Sequence, residues 1–443
     1  VEVYKRIIKI SLPIALQQVI FTSVNFVDTL MIGALGEVAI AAVGLSNQVF
    51  FLYNLILFGL VSGGGIFFAQ YWGKQEEEGL SRSVALTIIS ALFFSIPFFV
   101  LSFFYPNLVL NFFSPDIEVI NLGAVYLKII ALSFPLFAIS LVTSFMLRSI
   151  KKVHIPLIIT IIELSSNIFL NYLLIFGKLG FPTLGVKGAA IATLIARLIG
   201  CISSVLIVYL RKMPGRIYFR HFREITPKFF KSYFHYAIPT MANEFAWSLG
   251  VTMYSIVYAH MGTNVIAAQR VMATIEGFAT SITFSIANAA SVIIGNMLGT
   301  SQYEEAYDVS KKALKLAELI SIFAAIICII ITFFLVNVFD VSEEVKKMVR
   351  ITITISMSFL PIKLFNGMNV VGFLRAGGDT RFSFIVEGST LWFIGVPLSV
   401  IGGLVLNLSF PVVYLLTMSE EVVKSLILLS RYKSKKWLKN VLE

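Results

Sequence analysis

Long apolar runs recur along this chain from end to end, and that feature limits its architecture most. A helix crossing a bilayer needs about 20 mostly apolar residues. Twelve runs of that length are present: 7–34, 44–71, 83–105, 119–147, 154–176, 185–210, 233–261, 265–298, 311–336, 346–374, 382–404 and 409–430. Between them no stretch has the composition of a soluble domain. The 443 residues are 58% hydrophobic and 13% charged, against about a quarter charged in soluble globular domains. The first run is too long for a signal-peptide core and no small-residue cleavage site follows it, so it reads as a retained helix. Forty Phe and few period-two alternations argue against a β-barrel.

Charge sorts the connections into two alternating sets. One holds the N-terminus, the even-numbered connections and the C-terminal tail, with 25 of the 35 basic residues; the other holds Lys178, Lys187, Lys346, Lys347 and Arg350. Cytoplasmic loops carry the excess of Lys and Arg. Both termini and the central loop are therefore expected in the cytoplasm, and the protein in the cytoplasmic (inner) membrane. The same rule explains the net charge of +11 without a nucleic-acid partner. Cys201 and Cys328 each lie inside an apolar run and fit neither a disulfide framework nor a metal motif.

The only long polar connection, about 211–232, divides the chain near its middle. At offset 226 the halves align without gaps from Pro13 to Glu78. Pro13 meets Pro239, Gly36 meets Gly262, Ala41-Ala42 meets Ala267-Ala268, Gly73 meets Gly299 and Glu78 meets Glu304. Farther on Pro135 meets Pro361, and Leu147-Arg148 meets Leu374-Arg375 at offset 227. Each half has an even number of runs, so both start on the same side. The expected fold is an all-α polytopic membrane protein of about twelve helices. Two parallel six-helix repeats, residues 1–210 and 233–443, are related by a pseudo-two-fold axis along the membrane normal and joined by a cytoplasmic linker, 211–232. Transporters of this design hold substrate between the halves and expose it alternately to each side.

The stretch Val27-Asp28-Thr29-Leu30-Met31-Ile32-Gly33, continuing through Leu35-Gly36 to Ala41-Ala42-Val43-Gly44-Leu45, resembles the first-helix signature of the multidrug and toxic compound extrusion (MATE) family. Asn171-Tyr172-Leu173-Leu174-Ile175-Phe176-Gly177 and Gly188-Ala189-Ala190-Ile191-Ala192-Thr193 are similar to its fifth and sixth helices. Leu374-Arg375-Ala376-Gly377-Gly378-Asp379-Thr380-Arg381 resembles the loop after its tenth. The first-half equivalent of that loop, Leu147-Arg148-Ser149-Ile150-Lys151-Lys152, lacks an acidic residue. Asn366 and Asn369 stand where some relatives have a tenth-helix Asp, and Asn171 stands where others have a fifth-helix Asp. The resemblance implies a monomeric antiporter that exports cationic or amphipathic small molecules against inward flow of H⁺ or Na⁺, with no other cofactor. A related class, flippases for lipids or lipid-linked oligosaccharides, is the alternative; it would favour more spans and an arginine-rich cavity. With no HExxH, GxSxG, P-loop or CxxC element, an enzyme is not expected.

Intramembrane carboxylates are costly and face the bundle interior. Asp28 lies six residues before the end of the first run, about 9 Å deep at 1.5 Å per residue. Gln17, Phe21, Asn25, Asp28 and Met31 share one face of that helix. Glu163, Asn167 and Asn171 follow at i, i+4 and i+8 on the fifth helix, and Thr193 on the sixth can join them. Asp28, Asn25, Glu163, Asn167, Asn171 and Thr193 are the ion-coupling candidates; Asp28, Asn167 and Asn171 could ligate Na⁺ through oxygen. The polar stripe could equally be interhelical glue. In the second half Glu244 shares a face with Trp247, Tyr254 and Tyr258, a charge beside rings that suits an organic cation. These four, with Gln17 and Met31, are the substrate-binding candidates; core packing is the competing reading. At offset 226 Asp28 faces Tyr254 and Glu244 faces Gln18. Glu420 and Lys424, at i and i+4, are expected to pair, while Arg197, Arg270, Glu276, Lys363 and Glu387 lie mostly near predicted ends or lack an obvious partner.

Overall fold

A computed structural model describes residues 2–338 and 341–443, apart from the side chains of Asn25, Phe26, Phe278, Ile282, Thr283 and Val338. The described chain is helical, and it follows the repeat. The first half contains α1 (Glu2–Gly33), α2 (Glu37–Gly73), α3 (Glu77–Phe104), α4 (Ile117–Ala131), α5 (Phe134–Ser149), α6 (His154–Phe176) and α7 (Gly185–Leu210). The second contains α8 (Pro227–His260), α9 (Thr263–Gly299), α10 (Tyr303–Leu335), α11 (Glu343–Ser358), α12 (Leu360–Leu374), α13 (Thr380–Val405) and α14 (Phe410–Lys433). From α2 to α6 every helix start recurs at offset 226, with Glu37 of α2 answered by Thr263 of α9 and His154 of α6 by Thr380 of α13.

Among the described residues eight helices are long and apolar enough to cross a membrane alone. The pairs α4–α5 and α11–α12 do so as single bent spans. The helices α8 and α14 bring the number to twelve. Their 34 and 24 residues exceed the length of a bilayer core. Their low apolarity has a local cause: Asn243, Glu244, Glu420 and Lys424 are all buried inside the protein. Lipid instead meets faces such as Ile322, Phe323, Ile326, Ile327, Ile330 and Phe334 of α10, all exposed.

Both fourth spans bend where a proline breaks the backbone ladder, by 50° before Pro135 and by 47° before Pro361. In lipid the freed carbonyls need partners within the protein. At the bend itself the Tyr53 hydroxyl donates to the Phe134 carbonyl at 2.7 Å. The α1–α2 and α8–α9 turns rest on Gly36 and Gly262, at φ +103° and +128°, conformations that side chains with Cβ rarely adopt.

Two compact units emerge. One is Leu16–Met241; the other combines Val1–Ala15 with Ala242–Glu443. Within the first, the opening turns of α8 lie backbone to backbone on α2. A Cβ on Gly59 would come within 2.6 Å of the Met241 Cα, and one on Gly63 within 2.6 Å of the Ala237 Cα. Close packing of small residues is how helices associate in membranes. The Thr240 hydroxyl then donates to the Gly59 carbonyl at 2.7 Å.

The loop after α12 shows what each residue of Leu374–Arg381 does. Arg375 pairs with Glu244. Gly377 leaves room for the Trp437 carbonyl, which would lie 1.6 Å from a Cβ there. Gly378 takes φ +74°. Asp379 accepts two bonds from Arg431, at 2.6 and 2.9 Å. Together they dock the C-terminal tail, whose fully buried Trp437 stacks on Phe373 and Tyr432. In the first half Lys151 holds the left-handed position at φ +63°. The linker docks by another route, with Arg220 and His221 on Glu78 at 2.5 and 2.9 Å. We expect Trp437→Ala to cost about 3–5 kcal/mol, and Gly377→Ala to displace the tail. Thermal unfolding in detergent checks both; midpoints equal to wild type would show that the tail does not brace this unit.

Candidate functional site

Each unit contains a large polar cavity. In the unit Leu16–Met241 it measures about 420 Å³ and is lined by Asp28, Glu163, Asn167, Thr193 and Arg197 among apolar neighbours such as Phe50 and Tyr126. Asp28, on α1, is the hub. Asn171 Nδ2 donates to its Oδ1 at 2.5 Å. In the amide orientation that satisfies both of its ends, Asn167 donates to both Asp28 oxygens, at 2.9 and 3.2 Å, and accepts from the Thr193 hydroxyl at 3.2 Å. The i, i+4 spacing on α6 puts both amides on one side of the helix, and α7 brings Thr193 to them. Asn171 is 1% exposed, yet among the described residues its Oδ1 has no hydrogen-bond partner. Glu163 lies against Gly200 of α7, where a Cβ would come 2.4 Å from its Oε2.

The structure thus gathers Asp28, Asn167, Asn171, Thr193 and Glu163 around one cavity or its wall. The Asn25 side chain lies outside the described residues. Sequence reasoning passed over Arg197 because its partner is not on its own helix. It donates to the Ser133 hydroxyl at 2.7 Å, at the bend of the fourth span, and its guanidinium lies 3.9 Å from the Phe50 ring centroid. Among the described residues no carboxylate comes within 4 Å of it.

The second cavity, about 440 Å³, lies in the other unit. Trp247, Tyr254 and Tyr258 of α8 line it, as do Glu276, Glu387, Glu420, Glu421, Lys363 and Lys424. Glu244 does not. Its Oε1 accepts from Arg375 Nη2 at 2.5 Å, and the two residues are 9% and 2% exposed. Its charge is therefore neutralised, and it is not a vacant counter-ion for substrate. Gln17 and Met31 also lie outside the linings of both cavities. Gln17 accepts from Arg148 at 2.6 Å and donates to Thr160 at 2.7 Å. Arg148–Gln17 and Arg375–Glu244 are each separated by 131 residues. The two contacts are thus alike, although the ungapped alignment at offset 226 sets Glu244 opposite Gln18.

Two polar clusters cross the second cavity. Lys424 pairs with Glu420 at 3.1 Å, as its spacing suggests, and also with Glu421 at 3.2 Å. Tyr254 donates to Glu420, and Asn366 donates to Glu421 at 2.6 Å. Across the bend of α11–α12, Lys363 reaches the Ser356 and Tyr414 hydroxyls at 3.0 and 3.2 Å, and both hydroxyls donate to Glu276. A cavity walled by rings and carboxylates can take an ammonium group and stack its aromatic part. The first cavity offers small oxygen donors suited to a proton or a hard cation.

The sequence matches the MatE family over residues 13–173 and again over 239–401, so the two matches begin at Pro13 and at its repeat counterpart Pro239. It is 25% identical over 430 residues to an uncharacterized transporter, YisQ, of Bacillus subtilis, covering 96% of this chain and 93% of the relative. It is 25% identical to the probable multidrug resistance protein NorM of Thermotoga maritima, covering 99% and 94%. A MOP superfamily transporter from Pyrococcus furiosus shares the fold at a TM-score of 0.88, with 20% identity and coverage of 98% of this chain and 96% of that one. An outward-facing multidrug resistance transporter of the same superfamily superposes equally well, at 0.88 and 19% identity over 98% and 96%.

Gly395 tests the second cavity. A Cβ there would fall 1.9 Å from the Tyr254 hydroxyl and 2.1 Å from Glu420. We expect Gly395→Ala to break that hydrogen bond and lower stability by about 1–3 kcal/mol. A thermal shift assay checks this, and an unchanged midpoint would show that the two side chains need no such space.

Proposed function

The chain belongs to the MatE family, and we infer that it is a secondary antiporter of the inner membrane, working as a monomer with both termini in the cytoplasm. It exports cationic or amphipathic small molecules in exchange for H⁺ or Na⁺. One observation carries the reading: Asp28 is surrounded by Asn167, Asn171 and Thr193 at a cavity wall, and among the described residues the buried Asn171 Oδ1 has no partner. An amide can present either its nitrogen or its oxygen. Facing a carboxylate it donates; turned over, it accepts from a protonated carboxyl or, with Asp28 and Asn167, offers oxygen to Na⁺. The donor set fits either ion, and both enter as transported ions.

Substrate belongs in the second cavity, against Trp247, Tyr254 and Tyr258. The names of relatives such as the Thermotoga maritima protein support export of drugs. A flippase for pyrophosphate-linked lipids would need a basic cavity. The two cavities here are lined by six carboxylates and three basic groups. Exchange requires that ion and substrate favour opposite states, since a ligand shifts an equilibrium only by its differential affinity. Ion binding at Asp28 favours the inward-facing state and lowers affinity for the drug.

Proteoliposomes loaded with ethidium, with a pH gradient and a Na⁺ gradient imposed separately, test this. Each gradient that couples should drive efflux from the wild type. Asp28→Asn, which keeps shape and removes charge, should fold normally and lose coupled efflux by at least about tenfold. A folded Asp28→Asn protein transporting at the wild-type rate refutes the assignment.

A further inference from the structure

The repeat allows a comparison of charge at equivalent places. In the first half, Arg148, Gln17 and Thr160 form a hydrogen-bonded group with one formal positive charge. In the second half the matching arginine, Arg375, has two carboxylates near it, Glu244 and Glu387. Arg375 is bonded to Glu244. Glu387 is the charge left over.

Its surroundings agree. Glu387 accepts from Asn243 Nδ2 at 2.7 Å, and among the described residues no basic nitrogen lies within 4 Å of it. It lines the second cavity beside Glu420 and Glu421, whose single ammonium, Lys424, pairs with both of them. On this side of the cavity three carboxylates face one lysine. The Lys363 ammonium is 3.9 Å from Glu276 and also acts on Glu421, but it forms no ion pair with Glu387 among the described residues. Asn366, 3% exposed and also in the lining, has an Oδ1 without a partner, a vacant acceptor for an N–H donor. The groups facing Glu387 are Asn243 and Glu244 on α8, Arg375 after α12, and Glu420, Glu421 and Lys424 on α14. An unpaired carboxylate inside a membrane is expensive, so it must hold either a proton or a cation.

We propose that Glu387 is the exchange site of the second cavity, binding either a proton or the ammonium group of an organic cation, never both. The cation's aromatic part stacks on Trp247, Tyr254 or Tyr258, and its N–H groups, where present, reach the Asn366 oxygen. Protonation of Glu387 removes the counter-charge and releases the ligand; loss of the proton restores it. Glu244, tied to Arg375, contributes a fixed and neutral pair. This rests on the reading of the chain as an exporter of cations.

The test is equilibrium binding of ethidium and of tetraphenylphosphonium to the full chain in lipid nanodiscs, from weakly acid to weakly basic pH. An infrared difference spectrum of the carboxyl stretch over the same range is recorded without dye. Wild type should lose up to about tenfold in affinity per pH unit on the acid side, as one competing proton requires. Glu387→Gln should bind about tenfold more weakly at basic pH, lose the pH slope and lose one carboxyl band. Glu387→Asp, which keeps the charge, should keep the slope and guards against a misfolded Gln variant. If the slope and the carboxyl band survive in a folded Glu387→Gln, the proposal is overturned while the cation reading stands. If wild type binds neither probe at any pH, the cation reading fails and this proposal with it.

Discussion

Inside a bilayer there is no water to complete a hydrogen bond or solvate a charge, so the chain must satisfy every polar group itself. Much of the structure follows from that requirement. The bends before Pro135 and Pro361 are covered by hydroxyls, with Tyr53 on the Phe134 carbonyl and Tyr414 among Ser356, Lys363 and Glu276. Arg375 is tied to Glu244, and Lys424 to Glu420 and Glu421. Glu387, which has no ion-pair partner among the described residues, borders a cavity, and the Asn171 oxygen lies beside Asp28 at the edge of the other. Buried groups left open beside a void are where a transported ligand can complete them.

The two halves share a backbone and differ in charge. Helix starts repeat at one constant offset, and the arginine after each bent span holds a partner 131 residues earlier. On this common frame the first cavity carries small amides around one carboxylate. The second carries aromatic rings and a network of carboxylates and lysines. Parallel repeats supply equivalent places for two ligands, and divergence at those places lets the ligands differ.

The fold is largely legible in the residues. Twelve apolar runs predict twelve spans, and each span has its helix or bent helix pair. The constant offset marks the repeat within the sequence itself. The gathering of Asn167 and Asn171 at Asp28 is legible too, because α6 brings both amides to one side and because a carboxylate in an apolar run cannot face lipid. Arg197, Glu276, Lys363 and Glu387 are not. Each takes its meaning from neighbours on other helices, and periodicity within one helix carries no information about them. Glu244 misleads for the same reason. Its apolar and aromatic companions are visible on α8, whereas its arginine lies 131 residues downstream.

The sequence by itself determined that this chain spans a membrane about twelve times as a duplicated half, since hydrophobic length and a constant spacing are properties of the chain alone. It also determined that Asp28 and its amides face inward, because lipid excludes them. Tertiary structure alone decided which buried charges are neutralised. Pairing depends on distances of a few ångströms between helices far apart in sequence, and in a low-dielectric interior those distances separate a structural ion pair such as Glu244–Arg375 from a carboxylate, Glu387, that among the described residues has no cation within reach of an ion pair.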